Sequence, residues 1–257
     1  MDLFTSWVVE AIGASARRPV VIGLQAPQGA GKTTRVGRLL EELPTQGLRA
    51  AAVSIDDFYL TRAEQVALAA AHPGHPYLEH RGYPGTHDIA LGVRTLEALR
   101  SQGGGAGATH VPVYDKSAHG GRGDRLPESA WRQVEAPLDV VVVEGWMLGF
   151  IPVDPSTLED QQLREPNQAL AAYHAWYDLI DRWVVFRADD PTCVIDWRVE
   201  AEERMKASGK PGLSRADIED YIRRFLPAYR TWANGTAAGR VPDLLLRVNR
   251  DRSIEVP

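Results

Sequence analysis

Apolar positions at the start of the chain recur first at helical spacing and then as a block. Leu3, Phe4, Trp7, Val8 and Ile12 predict an N-terminal helix. Val20, Val21, Ile22 and Leu24 form a β-branched run that predicts a buried strand. The run stops at Ala26-Pro27-Gln28-Gly29-Ala30-Gly31, where proline and glycine prohibit regular structure. Val36, Leu39, Leu40 and Leu43 then predict a helix from Lys32 to Leu43, and Ala51 to Ile55 predicts a second strand. Strand, glycine loop, helix, strand is a βαβ unit, which implies a parallel sheet with a right-handed crossover.

The alternation continues. Arg62–Ala71 predicts a helix, and the segment from His72 to His87, with Pro73, Gly74, Pro76, Gly82, Pro84 and Gly85, a long irregular loop. A compact domain rarely carries such a loop unless it is functional or disordered. Asp88 is placed to cap a helix reaching Arg100, with Ile89, Val93, Leu96 and Leu99 on one face. Ser101 to Ala108 is a glycine-rich connector, His110 to Tyr114 a strand, and Asp115 to Arg125 a charged loop. Leu138 to Val143 is the clearest central strand, ending at Glu144-Gly145. Ala169, Tyr173, Trp176, Tyr177 and Ile180 predict a helix, Trp183 to Phe186 a strand, and Thr192 to about Ala207 a charged helix. After Ser208-Gly209-Lys210-Pro211-Gly212, Ser214 and Asp217 form a capping pair for a helix striped by Ile218, Tyr221, Ile222, Phe225, Tyr229 and Trp232 and kinked at Pro227. Leu244 to Val248 is the last strand. The expectation is a single doubly wound α/β domain over residues 1–257, with its N-terminal helix in 1–18 and a helical lid and C-terminal helices in about 192–235.

Composition narrows the class. Hydrophobic residues at 44% and charged residues at 25% describe a folded chain. A net charge of −5 argues against a protein whose main task is to coat nucleic acid. One cysteine, Cys193, excludes an internal disulfide and a cysteine-based zinc cluster, and favours a reducing compartment. No run nears the roughly 18 apolar residues of a membrane span. The first residues carry Asp2 and Glu10 and lack the pattern of a signal peptide, so a cytoplasmic location is expected. Oligomeric state is not legible.

Ala26-Pro27-Gln28-Gly29-Ala30-Gly31-Lys32-Thr33 is a P-loop with alanine at the first position of G-x-x-x-x-G-K-[ST]. Its context, after a strand and before a helix, is the required one. Glycines let backbone N–H groups cradle phosphates, and the helix start adds its positive end. Gln28, Gly29, Ala30, Gly31, Lys32, Thr33 and Thr34 are the candidate ATP-binding residues. The Thr33 hydroxyl is placed to hold Mg²⁺. Carboxylates follow two other strands: Asp56-Asp57 before Phe58-Tyr59, and Glu144 before Gly145-Trp146. Ligands in open α/β sheets lie beyond these strand ends. Asp56 is assigned as the base that takes the acceptor's proton, with Asp57 as alternative, and Glu144 as a magnesium ligand. Thr33, Glu144 and Asp56 make up the candidate metal set, and Lys32, Asp56 and Glu144 the catalytic set.

Two loops rich in cations and glycine, Arg81-Gly82-Tyr83-Pro84-Gly85-Thr86-His87-Asp88 and Val111 through Arg125, suit an anionic or polyhydroxylated small substrate. Candidate acceptor contacts are Asp57, Tyr59, Arg81, His87, Tyr114, Lys116, Arg122 and Arg125.

The strings APQGAGKTT, SIDDFYLT, RGYPGTHD, VPVYDKSAHGGRGDR and VVEGWMLGF, with Arg224-Phe225-Leu226-Pro227-Ala228-Tyr229 further on, resemble the D-glycerate 3-kinase family. Its members are P-loop kinases related to uridine kinase, phosphoribulokinase and pantothenate kinase. The resemblance implies an ATP- and magnesium-dependent transfer of phosphoryl to D-glycerate, giving 3-phosphoglycerate. It implies Asp56 as base, and Tyr114, Lys116, Arg122 and Arg125 near the acceptor. It also implies a lid carrying a phosphate-binding cation, for which Arg198, Arg204 and Lys206 are the candidates. Competing readings are a kinase for another metabolite, such as a nucleoside or pantothenate, and a regulatory ATPase without an acceptor.

Overall fold

The computed structural model describes residues 1–104, 107–207 and 215–257. Its strands are β1 (Val20–Gln25), β2 (Ala50–Ser54), β3 (Ala108–Val111), β4 (Tyr114–Asp115), β5 (Asp124–Arg125), β6 (Arg132–Glu135), β7 (Val140–Gly145), β8 (Arg182–Arg187), β9 (Leu244–Val248) and β10 (Ile254–Glu255). Its helices are α1 (Leu3–Ala14), α2 (Lys32–Glu42), α3 (Arg62–Ala71), α4 (Ile89–Arg100), the short turn α5 (Ala118–Gly121), α6 (Arg164–Ala169), α7 (His174–Tyr177), α8 (Cys193–Ala207), α9 (Arg215–Arg223) and α10 (Leu226–Trp232).

Six strands make the main sheet in the order β10-β9-β8-β1-β7-β2. All neighbours pair in parallel except β10, which runs antiparallel along β9. Every residue of β1 is buried, as expected of a strand covered on both faces. The register places Gln25 beside Gly145 and Ser54 beside Glu144. The ends of β1, β2 and β7 therefore lie side by side, and the segments that follow them share one edge of the sheet.

Large aromatics fill the core. Trp176, Trp183 and Trp197 are fully buried. Trp183 packs on Gly23, where a Cβ would stand 2.8 Å from the ring, and Trp176 packs on Gly92, where it would stand 1.8 Å away. These glycines are required by close approach rather than by backbone angle.

Several elements depart from the patterned expectation. The strand predicted from His110 to Tyr114 is two, β3 and β4, parted at Pro112-Val113, and each pairs antiparallel elsewhere, with β6 and β5. β6 was not anticipated, because Arg132-Gln133-Val134-Glu135 buries Val134 alone. The helix predicted around Ala169 to Ile180 is a series of short turns: α6, a 3₁₀ turn at Leu170–Tyr173, and α7. Buried Leu170, Tyr173 and Trp176 recur every three residues, which suits the tighter winding. The predicted kink at Pro227 is a break between α9 and α10, with Pro227 in the first turn of α10, where its missing N–H costs nothing. The predicted cap at Ser214 and the interruption before it lie outside the described residues.

Candidate active site

The P-loop joins β1 to α2. Gly29 and Gly31 hold φ of 77° and 87°, the left-handed region that side chains rarely enter. Gly31 is the N-cap of α2 and no side chain caps it, so the first N–H groups of the helix are left for a ligand. Lys32 Nζ donates to the carbonyls of Ala26 at 2.9 Å and Pro27 at 3.1 Å, folded over its own loop. Burial lowers the Lys32 pKa, against the opposing pull of Glu144 and Asp56. Ala26 is fully buried, so the methyl group at the usual glycine position faces the core. Thr33 and Thr34 are exposed at the start of α2.

Two contacts that sequence reasoning missed brace this loop. The Gln28 N–H donates to the Tyr229 hydroxyl at 3.0 Å, and Arg252 Nε donates to the Gly29 carbonyl at 2.9 Å. Arg252 also pairs with Glu200 at 2.6 Å and donates to the Trp197 carbonyl at 3.1 Å, tying the loop to α8. Tyr229 was expected as part of an apolar stripe and of a family-like string, not as a partner of the loop, and no sequence signal marked Arg252.

The two aspartates after β2 part company. Ser54 caps the 3₁₀ turn Ile55–Phe58, and Asp57 completes the capping box by accepting the Ser54 N–H at 3.3 Å. Burial pushes the Asp57 carboxyl up to about 6. Asp56 instead meets Lys116, whose Nζ donates to its Oδ2 at 2.6 Å. Its Oδ1 is buried without a partner. Burial alone would raise the Asp56 carboxyl, but the charge and hydrogen bond of Lys116 outweigh it and hold the pKa below the ordinary value. Glu144, at the end of β7, is raised by burial despite the nearby Lys32 ammonium. Lys32, Asp56, Glu144 and Lys116 lie within electrostatic reach of one another.

Tyr59 and His87 form a β-bridge, and their rings stack with centroids 4.4 Å apart. Tyr114 meets Tyr59 edge-on at 5.3 Å. His87 Nδ1 stands 2.7 Å from the Tyr173 hydroxyl, its Nε2 is buried without a partner, and burial lowers its pKa to about 4, so the ring is neutral near pH 7. Arg81 lies over the Tyr114 ring at 5.4 Å and donates to the carbonyls of Gly121 at 3.0 Å, Lys116 at 3.3 Å and Arg122. Arg125 reaches Asp88 and the Tyr59 carbonyl at 3.3 and 3.4 Å and lies 3.7 Å from Glu64. Arg81 and Arg125 thus fasten the loops, and Lys116 is the cation brought to Asp56. Arg122 is exposed. On α8, Arg198 and Lys206 are exposed, and the Arg204 side chain falls outside the described residues.

A cavity of about 440 Å³ adjoins the P-loop at Gln25 and Pro27, between Trp146, Phe150, Arg187 and Tyr229. None of Lys32, Asp56, Lys116 or Glu144 lines it. The site is therefore assigned from converging charges at the strand ends, not from the cavity.

This arrangement has relatives. The D-glycerate 3-kinase of Arabidopsis thaliana, a chloroplastic protein, is 44% identical over 241 residues, covering 91% of this chain and 53% of that protein. An uncharacterized kinase of Schizosaccharomyces pombe is 35% identical over 236 residues, covering 87% of this chain and 84% of its own. The solved structure of the D-glycerate 3-kinase from Cryptococcus neoformans superposes with a TM-score of 0.85 at 31% identity, over 99% of this chain and 98% of that one. The chain belongs to the D-glycerate 3-kinase family. It spans about half the length of the plant member. No family profile matches it. The mostly parallel sheet and P-loop are the α/β architecture expected of the family, and among the described residues no helix is long and apolar enough to cross a membrane.

Proposed function

We infer that the protein is an ATP-dependent kinase that moves the γ-phosphoryl group to a hydroxyl of D-glycerate, giving 3-phosphoglycerate. The observation that carries this reading is the meeting of Lys32, Asp56, Glu144 and Lys116 at the ends of three adjacent strands. Phosphoryl transfer asks for positioning and charge stabilisation above all.

The P-loop N–H groups and Lys32 cradle the triphosphate. Asp56 accepts the proton of the acceptor hydroxyl, whose oxygen then attacks the γ-phosphorus. Lys116 meets the acceptor's carboxylate. Tyr59, His87 and Tyr114 form an aromatic wall beside Asp56, and a lid cation, for which Arg198, Arg204 and Lys206 are the candidates, meets the phosphates as the lid excludes water. The partnerless Asp56 Oδ1, the Glu144 carboxylate and the Thr33 hydroxyl are hard oxygen donors that fit Mg²⁺, and they would hold it with the phosphates. That ion, when bound, neutralises charge on the phosphoryl group. The whole chain, 1–257, acts as one kinase unit on a small-molecule acceptor. A reducing compartment such as the cytoplasm suits its single free thiol, Cys193.

The test is the product. Incubation with Mg-ATP and D-glycerate, followed by ³¹P and ¹³C NMR, is expected to show phosphate esterified at the 3-hydroxyl. Ester at the 2-position would revise the geometry of transfer, and absence of any glycerate ester would overturn the reading.

A further inference from the structure

Lys116 closes on the carboxylate that the reaction needs free. Its Nζ lies 2.6 Å from Asp56 Oδ2, across 60 residues of chain. The Lys116 side chain is 58% exposed and that of Asp56 is 22% exposed. One end of the pair is wet and the other is largely sheltered, and the second carboxylate oxygen has no partner. An ion pair with so exposed a member is weak and open to competition from an arriving anion.

The backbone at Lys116 is held independently of that pair. Its carbonyl accepts from Arg81 at 3.3 Å, and Ser117 is fixed by Asp115, which accepts from the Ser117 N–H at 2.9 Å and the hydroxyl at 2.6 Å. The ammonium can therefore swing on its flexible stem while the loop stays in place. Arg81 and Arg125 have no such freedom. Arg81 holds three carbonyls and Arg125 holds Asp88 and a carbonyl.

We propose that Lys116 is a specificity-determining latch: the carboxylate of an acid acceptor draws the Lys116 ammonium away from Asp56, and only then is Asp56 free to act as base. The proposal rests on the kinase reading above and says why the acceptor must be an acid. With the latch open, the Asp56 carboxylate takes the proton of the acceptor hydroxyl. The hydroxyl oxygen bonds to the γ-phosphorus, and the bond from that phosphorus to the bridging oxygen breaks as ADP leaves. Water and neutral polyols carry no carboxylate. They leave Lys116 on Asp56 Oδ2, and the ammonium keeps the carboxylate a weaker base. The same contact therefore selects the acceptor and suppresses hydrolysis of ATP while no acceptor is bound.

The experiment compares wild type with Lys116→Met and Lys116→Ala, measuring ADP release from Mg-ATP with no acceptor, with glycerol and with D-glycerate. Lys116 is exposed, so both variants are expected to fold, and circular dichroism melting checks this. Wild type is expected to turn over with D-glycerate and to be slow with glycerol or no acceptor. Both variants should raise acceptor-free ADP release by about five- to tenfold and shrink the D-glycerate-to-glycerol rate ratio by a similar factor. A loss of D-glycerate turnover with acceptor-free release unchanged would overturn the latch and leave Lys116 as a binding residue only. If wild type ignores D-glycerate while the variants still gain acceptor-free release, the latch stands and the glycerate reading fails.

Discussion

The two halves of the cleft are built on different principles. The phosphate half is backbone: Gly29 and Gly31 in left-handed conformations, an uncapped helix start and one lysine, all within residues 26–34. The acceptor half is side chains from separate segments. Asp56 follows β2, His87 precedes α4, Lys116 follows β4 and Glu144 ends β7. A local backbone device tolerates side-chain change around it but not at its glycines. An assembly of distant side chains depends on each loop being fastened, which is what Arg81 and Arg125 do.

The largest break in this comparison is expected at Asp56. Asp56→Asn should lower kcat by about a thousandfold while ATP still binds, because the P-loop and Lys32 are intact. Stopped-flow turnover and nucleotide titration by calorimetry separate the two quantities. Lys32→Ala should do the reverse in kind, weakening nucleotide binding as well as transfer, by about a hundredfold in kcat/KM. If both variants lost binding equally, the halves would not be separable.

A smaller effect sharpens the division between the neighbouring aspartates. The folded-state pKa of Asp57, about 6, stands above its ordinary 3.8. The native state thus holds a proton that the unfolded state releases, and stability falls as pH rises from about 4 to 6. Asp57→Asn should remove that slope and gain up to about 2–3 kcal/mol above pH 6 in the nucleotide-free protein, read by urea melts across pH. The Asn side chain still accepts the Ser54 N–H. Asp56 has the opposite sign, a depressed pKa, so its contribution is present at neutral pH and fades as pH falls through the acid range.

The smallest effect tests the brace on the P-loop. Tyr229→Phe deletes the acceptor for the Gln28 N–H and should cost about 1 kcal/mol, seen as a several-fold weaker ATP affinity with kcat for bound substrate retained. Unchanged affinity would show that the loop holds its shape without Tyr229.

The same contrast explains what was legible in the chain. The P-loop was readable in full because its residues are contiguous and its chemistry is in the backbone. Asp56 and Glu144 were readable as carboxylates at strand ends, since strand periodicity marks those ends. The meeting of Asp56 with Lys116 was not, because pairing across sixty residues depends on how β4 and β5 fold back at Tyr114 and Arg125. Arg81 and Arg125 read as substrate cations from composition, while their fastening roles depend on carbonyls and on Asp88, which no residue pattern reports. Contacts at still longer range, Tyr229 to Gln28 and Arg252 to Gly29, left no trace in periodicity. Of the fold, the alternation of strands and helices carried the main sheet. The small hairpins failed to register because β6 and β10 are short and mostly exposed.

The central claim, a D-glycerate kinase, is tested most directly by ADP release from Mg-ATP against D-glycerate, L-glycerate, uridine, pantothenate and no acceptor. The account predicts strong release with D-glycerate and little with the rest. Strong release with uridine or pantothenate, or release at the same rate with no acceptor, would contradict it.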